Sequence, residues 1–229
     1  MPPFCFFKSS APAASGSHAW QAFQQSFLAD AANSEQVRSG PDLGVFERLT
    51  PDERGAAERM LIERLARADD SRAAIGLAAM QSRAAVEPLR HALRAQAGRG
   101  SMASPAFAHA LWTLTRDPAA IEAVLAIARD AAVQETMRME AVLALAGMPS
   151  PAVVQSLYEL VQQEKAYLLR YHAFKGLLML HGYTRQQADA LVGPIAPQIA
   201  GAAVRAEARE AVLSRLASLL AGRTLIAPP

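Results

Sequence analysis

The chain has a single cysteine, Cys5, among 229 residues, which excludes an internal disulfide and any structural zinc site built on cysteines. That scarcity points to a reducing compartment, and the cytoplasm is the expected location. Lysine is nearly as rare. Of 23 basic residues only Lys8, Lys165 and Lys175 are lysines, and the arginine bias, with its companion excess of alanine, resembles a GC-rich bacterial coding bias. Charge of one sign is also missing, because 21 acidic residues offset the basic ones and leave a net of +2. So weak a field does not argue for nucleic acid by itself. Apolar stretches are broken by charges or turns before they reach the roughly 20 residues that span a bilayer. At the amino terminus Phe4 to Phe7, Lys8 and Ala11-Pro12-Ala13 echo a processing site. The apolar run there is too short for the centre of a signal peptide.

Catalytic signatures are equally thin. The histidines His18, His91, His109, His172 and His181 form neither an i, i+4 pair nor a His-Glu-x-x-His run, so no metal is expected. Glu87 and His91 lie one turn apart, a spacing that suits proton transfer but equally a solvated pair on an exposed helix face. His109 sits in the apolar run Phe107 to Leu114 and reads as a structural histidine. Gly98-Arg99-Gly100-Ser101 lacks the lysine and the preceding strand of a phosphate loop, and reads as a connection between repeats. There is no Gly-x-Ser-x-Gly elbow, and Cys5 falls in a Pro/Ser/Ala-rich arm at 1–16. No catalytic residue and no cofactor are expected.

What the chain does have is alanine, 50 of 229 residues, the strongest helix former and one that lets helices approach closely. An all-α fold follows. Three helix starts recur ahead of one apolar rhythm: Ser82-Arg83-Ala84-Ala85-Val86, Asp117-Pro118-Ala119-Ala120-Ile121 and Ser150-Pro151-Ala152-Val153-Val154. From Val86 to Ile121 is 35 residues and from Ile121 to Val154 is 33, a period that marks stacked helical hairpins. First helices carry Ala74, Leu77, Ala78 and Met80, then Ala108, Leu111, Trp112 and Leu114, then Ala141, Val142, Leu145 and Met148. Second helices carry Val86, Leu89 and Leu93, then Ile121, Val124, Leu125 and Ala128, then Val154, Leu157 and Val161. Tyr167 to Tyr183 reads as a fourth first-type helix, whose partner is interrupted by Gly193, Pro194 and Pro197. A last helix spans about Ala203 to Leu220, closed by Gly222. Ahead of the repeats, Trp20, Phe23, Phe27 and Ala31 form one helical stripe, fit for an end cap. Asn33 to Gly44 reads as a loop, and Thr50-Pro51-Asp52-Glu53 as a capped helix start. Residues 17–229 read as one domain after the flexible arm.

Leu77-Ala78-Ala79-Met80-Gln81-Ser82-Arg83-Ala84-Ala85-Val86-Glu87-Pro88-Leu89 resembles the short bacterial HEAT repeat of phycobilisome-lyase-like proteins, and Leu145 to Val153 repeats it more loosely. The resemblance covers roughly 69–182. It implies a right-handed α-solenoid of about four to five antiparallel hairpins with capping helices, whose second helices line a concave side. It is nearly silent on chemistry, since such proteins include adaptors, inhibitors, lyases and a DNA glycosylase branch.

With the core positions assigned, the second helices leave an outward strip. It holds Arg90, His91 and Arg94, then Glu122 and Arg129, then Gln155, Tyr158 and Gln162. Tyr167, Arg170 and Tyr171, with His172 and Lys175, add an aromatic-basic group on the next helix. Mixed charge with Tyr and Arg anchors is what protein interfaces use, so the expected function is non-enzymatic binding of a protein partner. Size and architecture suit an immunity protein that inhibits a bacterial toxin, or an adaptor for a secretion component. The alternatives are a bilin-type lyase or isomerase, taken from the resemblance, and nucleic-acid binding, which the glutamates Glu87, Glu122 and Glu159 on the same strip disfavour.

Overall fold

The computed structural model describes residues 17–28, 40–67, 70–96, 101–203 and 205–227. The arm at 1–16, Ala31, most of the 33–44 loop and Gly98-Arg99-Gly100 lie outside them. Every regular element among the described residues is helical, and none of these helices is long and apolar enough to cross a membrane. Two compact units are present, one within residues 1–57 and one within 58–229.

The first unit is organised by aromatic rings. Helix α1 (His18–Phe23) is capped by Ser17, whose hydroxyl accepts from the Trp20 amide, and it runs on as a π-helical turn at Gln24–Leu28. Phe23 and Phe27 from that stripe are fully buried, and their neighbour is Phe46 of α2 (Val45–Arg48), with ring centroids 6.1 and 4.9 Å away. Helix α3 (Pro51–Arg67) opens with a reciprocal cap. The Glu53 amide donates to Thr50 Oγ1 at 3.3 Å, and the Thr50 amide donates to Glu53 Oε2 at 3.0 Å. Glu53 Oε1 also accepts from the Ser17 amide, so one carboxylate ties together the starts of α1 and α3.

The second unit carries the repeats. In chain order they are α4 (Ser71–Ala79), a 3-10 turn at Arg83–Ala85, α5 (Val86–Gln96), α6 (Ser104–Thr115), α7 (Pro118–Arg129), α8 (Glu135–Leu145), α9 (Pro151–Gln163) and α10 (Tyr167–Leu180). Helix α6 packs on α4 and α5, α8 on α6 and α7, and α10 on α8 and α9. Each first-type helix thus covers both helices of the preceding hairpin. That neighbour-on-neighbour contact defines a solenoid. The recurring starts act as caps in all three copies: Ser82 Oγ accepts from the Ala85 amide at 3.2 Å, Asp117 Oδ1 from Ala119 at 3.0 Å and Ser150 Oγ from Val153 at 3.2 Å. Behind them Leu89, Val124 and Leu157 are fully buried.

Small residues set the spacing. A Cβ built on Gly176 of α10 would come within 3.1 Å of Leu157 Cδ1 and 3.3 Å of Ala146 Cβ. A larger residue there would push α10 off the preceding hairpin.

Beyond α10 the pattern changes. Thr184 and Gln187 form a capping box at the head of α11 (Arg185–Val192), a 3-10 turn follows at Gly193–Ile195, and α12 (Ala196–Gly201) is only six residues long. Two prolines cannot supply amide hydrogens, so the second helix of this hairpin is broken in the expected place. Two carbonyls at the end of α12 are met by arginine side chains: Arg170 Nη1 donates to Ile199 O at 2.8 Å, and Arg209 Nε of α13 (Ala206–Leu220) donates to Ala202 O at 3.3 Å. After Gly222, at φ +72°, the tail returns to α10, where the Ile226 amide donates to Leu180 O at 2.9 Å.

Candidate functional site

Equivalent positions on α5, α7 and α9 fall into a single register. Glu87, Glu122 and Gln155 occupy one position, His91, Ala126 and Glu159 a second, and Arg94, Arg129 and Gln162 a third. The steps between them are four and three residues, so on each helix they form one face. All nine are exposed except Glu159, which is half-buried. The outward strip read from the sequence is therefore outward on three successive second helices.

Its residues differ in how far they are already committed. Arg90 is half-buried and holds Glu87 Oε1 at 2.6 Å, with Asp117 Oδ2 of the next helix cap at 3.7 Å. Glu87 is thereby engaged by Arg90 and not by His91, which removes the geometric basis for a carboxylate–imidazole pair. Arg129 donates from Nε to Ser156 Oγ at 3.1 Å, joining α7 to α9. Gln155 donates to Glu159 Oε1 at 2.8 Å along α9. Tyr158 is 38% exposed, while the Arg94, Glu122 and Gln162 side chains stand in solvent with no hydrogen bond or ion pair among the described residues. The strip is mixed in charge and polar, with a tyrosine as its one large ring.

A second group forms on α10. Tyr167 and Tyr171 have ring centroids 5.9 Å apart, and Tyr171 meets His172 edge-on at 5.3 Å. Tyr167 is 38% exposed, and Leu168 beside it 44%. Lys175 is almost buried and pairs with Asp189 of α11. Burial holds the His172 imidazole below its ordinary pKa, the Lys175 and Arg185 charges press it the same way, and Asp189 opposes them. Burial, then the Asp189 charge and Tyr167, push the Tyr171 phenol up.

Arg170 corrects the sequence reading. Expected among the partner-binding residues, it is 1% exposed and spent on Ile199 O. The sequence places it one position before Tyr171, and on a helix packed on both sides a one-residue step turns a side chain by about 100° into the core. Leu168 and Asp189 went unread because an apolar residue in a helix looks like core, and Asp189 reaches Lys175 only through the turn between α10 and α11.

A further charged contact missed by the sequence reading is internal. Arg138 at the start of α8 pairs with Glu164, the residue that ends α9, and donates from Nε to Ala128 O of α7 at 3.1 Å. Burial opposes ionisation of Glu164, but amide donors at Ala166 and Lys165 together with Arg138 hold its carboxyl below the ordinary range. His109 lies against Gly147, where a built Cβ would approach Nε2 to 2.6 Å. Burial lowers its pKa, a hydrogen bond to the Gly147 backbone raises it, and the Arg116 charge lowers it. Arg116 itself lies over the Trp112 ring at 4.2 Å. Among the described residues no group of three or more His, Cys, Asp or Glu side chains is placed to hold a metal ion.

No curated protein and no solved structure matches the chain. A family model does: residues 71–95, the hairpin of α4 and α5, match the PBS lyase HEAT-like repeat, and the chain carries a HEAT-like repeat in that segment.

Proposed function

We propose that this protein is a non-enzymatic scaffold that binds another protein across the exposed strip of α5, α7 and α9. The observation that carries the reading is the register itself: three successive helices present equivalent polar positions to solvent while Leu89, Val124 and Leu157 behind them are fully buried. A solenoid built this way offers a wide, preorganised surface whose side chains change without cost to the core. HEAT repeats in general mediate protein interactions, which agrees with this reading. A bacterial immunity protein acting on a toxin, or an adaptor for a secretion component, both cytoplasmic, would use such a surface.

Co-purification with the products of neighbouring genes tests the class. Arg90→Glu with Arg94→Glu should reduce the association by tenfold or more while helicity measured by circular dichroism stays unchanged, as charge reversal at a buried interface costs about 2 kcal/mol or more. Unchanged affinity would remove the strip from the reading.

A further inference from the structure

The aromatic group on α10 has its own electrostatics. Two carboxylates lie near it, and both are committed: Glu164 to Arg138 and Asp189 to Lys175. Lys165 at the head of α10 and Arg185 at the head of α11 are both exposed, and neither is in an ion pair among the described residues. Arg185 is near enough to His172 to act on its charge. Beside them is ring and methyl surface: Tyr167, Leu168 and Tyr171, with His172 edge-on to Tyr171. Exposed tyrosine and leucine side by side, with unpaired positive charge nearby, form a surface lacking its complement.

We infer that this face of α10 is a docking surface for an acidic peptide segment that carries an aromatic or aliphatic anchor. The anchor would lie on Tyr167 and Leu168, where the ring ladder supplies an offset partner for another ring. Carboxylates to either side would meet Lys165 and Arg185. Single-stranded nucleic acid also combines stacking with negative charge, but it brings a phosphate at every step. Here two unpaired cations are present among the described residues, and the half-exposed carboxylate of Asp189 stands beside the rings. An intermittent acidic peptide fits that charge pattern better. This surface is separate from the strip of α5, α7 and α9, so either can fail without the other.

The test uses the full chain and three fluorescent probes in anisotropy titrations: a short peptide alternating glutamate and phenylalanine, the same peptide with lysine for glutamate, and an oligothymidine. The acidic peptide should bind most tightly and weaken as salt is raised. Tyr167→Ala with Leu168→Ala should weaken it more than about tenfold, and Arg185→Glu about fivefold. Arg94→Glu, on the other surface, should leave it unchanged. Exposed positions make loss of folding a minor concern, and Arg185→Lys, which keeps the charge, should restore binding. Equal or tighter binding of the lysine peptide or the oligothymidine, or indifference to the Tyr167/Leu168 pair, would overturn the inference.

Discussion

The middle hairpins and the carboxy-terminal end solve one problem in different ways. From α5 to α9 each second helix begins with a side-chain cap, buries an apolar row and sends its charges outward. On α8 and beyond α9 other charges turn inward. Arg138 pairs with Glu164, Arg170 is sealed against the end of α12, and Lys175 meets Asp189. For Arg170 the difference follows from helix length. A helix of twelve residues, such as α7, satisfies most of its own backbone, whereas six-residue α12 leaves the Ile199 carbonyl to be met by the Arg170 side chain. Regular repetition needs methyl groups and caps, and irregular termination needs arginine.

The largest expected effect is at the boundary between the two regimes. Glu164→Ala would strand Arg138 in a nearly buried site, and a loss of about 3–5 kcal/mol in urea unfolding is expected. If the loss stays under about 1 kcal/mol, the inward charges are ornaments and the contrast collapses. Next comes a steric test in the regular part: Gly147→Ala should cost about 1–3 kcal/mol, since its Cβ would press on the buried His109 ring. Restoration of stability in the double variant with His109→Ala would identify that contact as the cause. Loss of one cap should matter less, about 1 kcal/mol for Ser150→Ala, read as a lower thermal midpoint.

The pH response compares the regions directly. His109 in the middle and His172 at the end are both held below their ordinary pKa of 6.5, in each case first by burial. An unfolded imidazole takes up its proton near pH 6.5 and the native one resists, so the unfolded state binds more protons in that range. Stability should be complete above that pH and decline as pH falls from there to the native pKa values. His109→Gln should flatten one part of that decline and His172→Gln another. A flat profile in the parent protein would contradict both placements. The smallest effect belongs to the strip: Arg94→Glu with Arg129→Glu should shift stability by under about 1 kcal/mol, because the Arg94 side chain has no partner among the described residues and Arg129 gives up one hydrogen bond to Ser156.

Much of this arrangement was legible beforehand, for identifiable reasons. A cap residue acts within three positions of itself, so Ser82, Asp117, Ser150, Thr50 and the breaks at Pro194 and Pro197 could be read locally. Helical periodicity separated Leu89 from His91 and Leu157 from Tyr158 because each helix has one wet face. The same rule failed at Arg170, since α10 is covered on several sides by α8, α9 and the short helix α12. A helix with little wet face has no period to read.

By itself, then, the sequence determined the repeat, the helix starts and the outward strip, all of which depend on neighbours within about one turn or on a fixed period. Only the tertiary structure decided that Arg170 is core, that Glu164 serves Arg138, and that Tyr167 and Leu168 stand exposed. Those outcomes depend on which distant helix arrives at each face, and no local pattern encodes the charge or carbonyl it will bring.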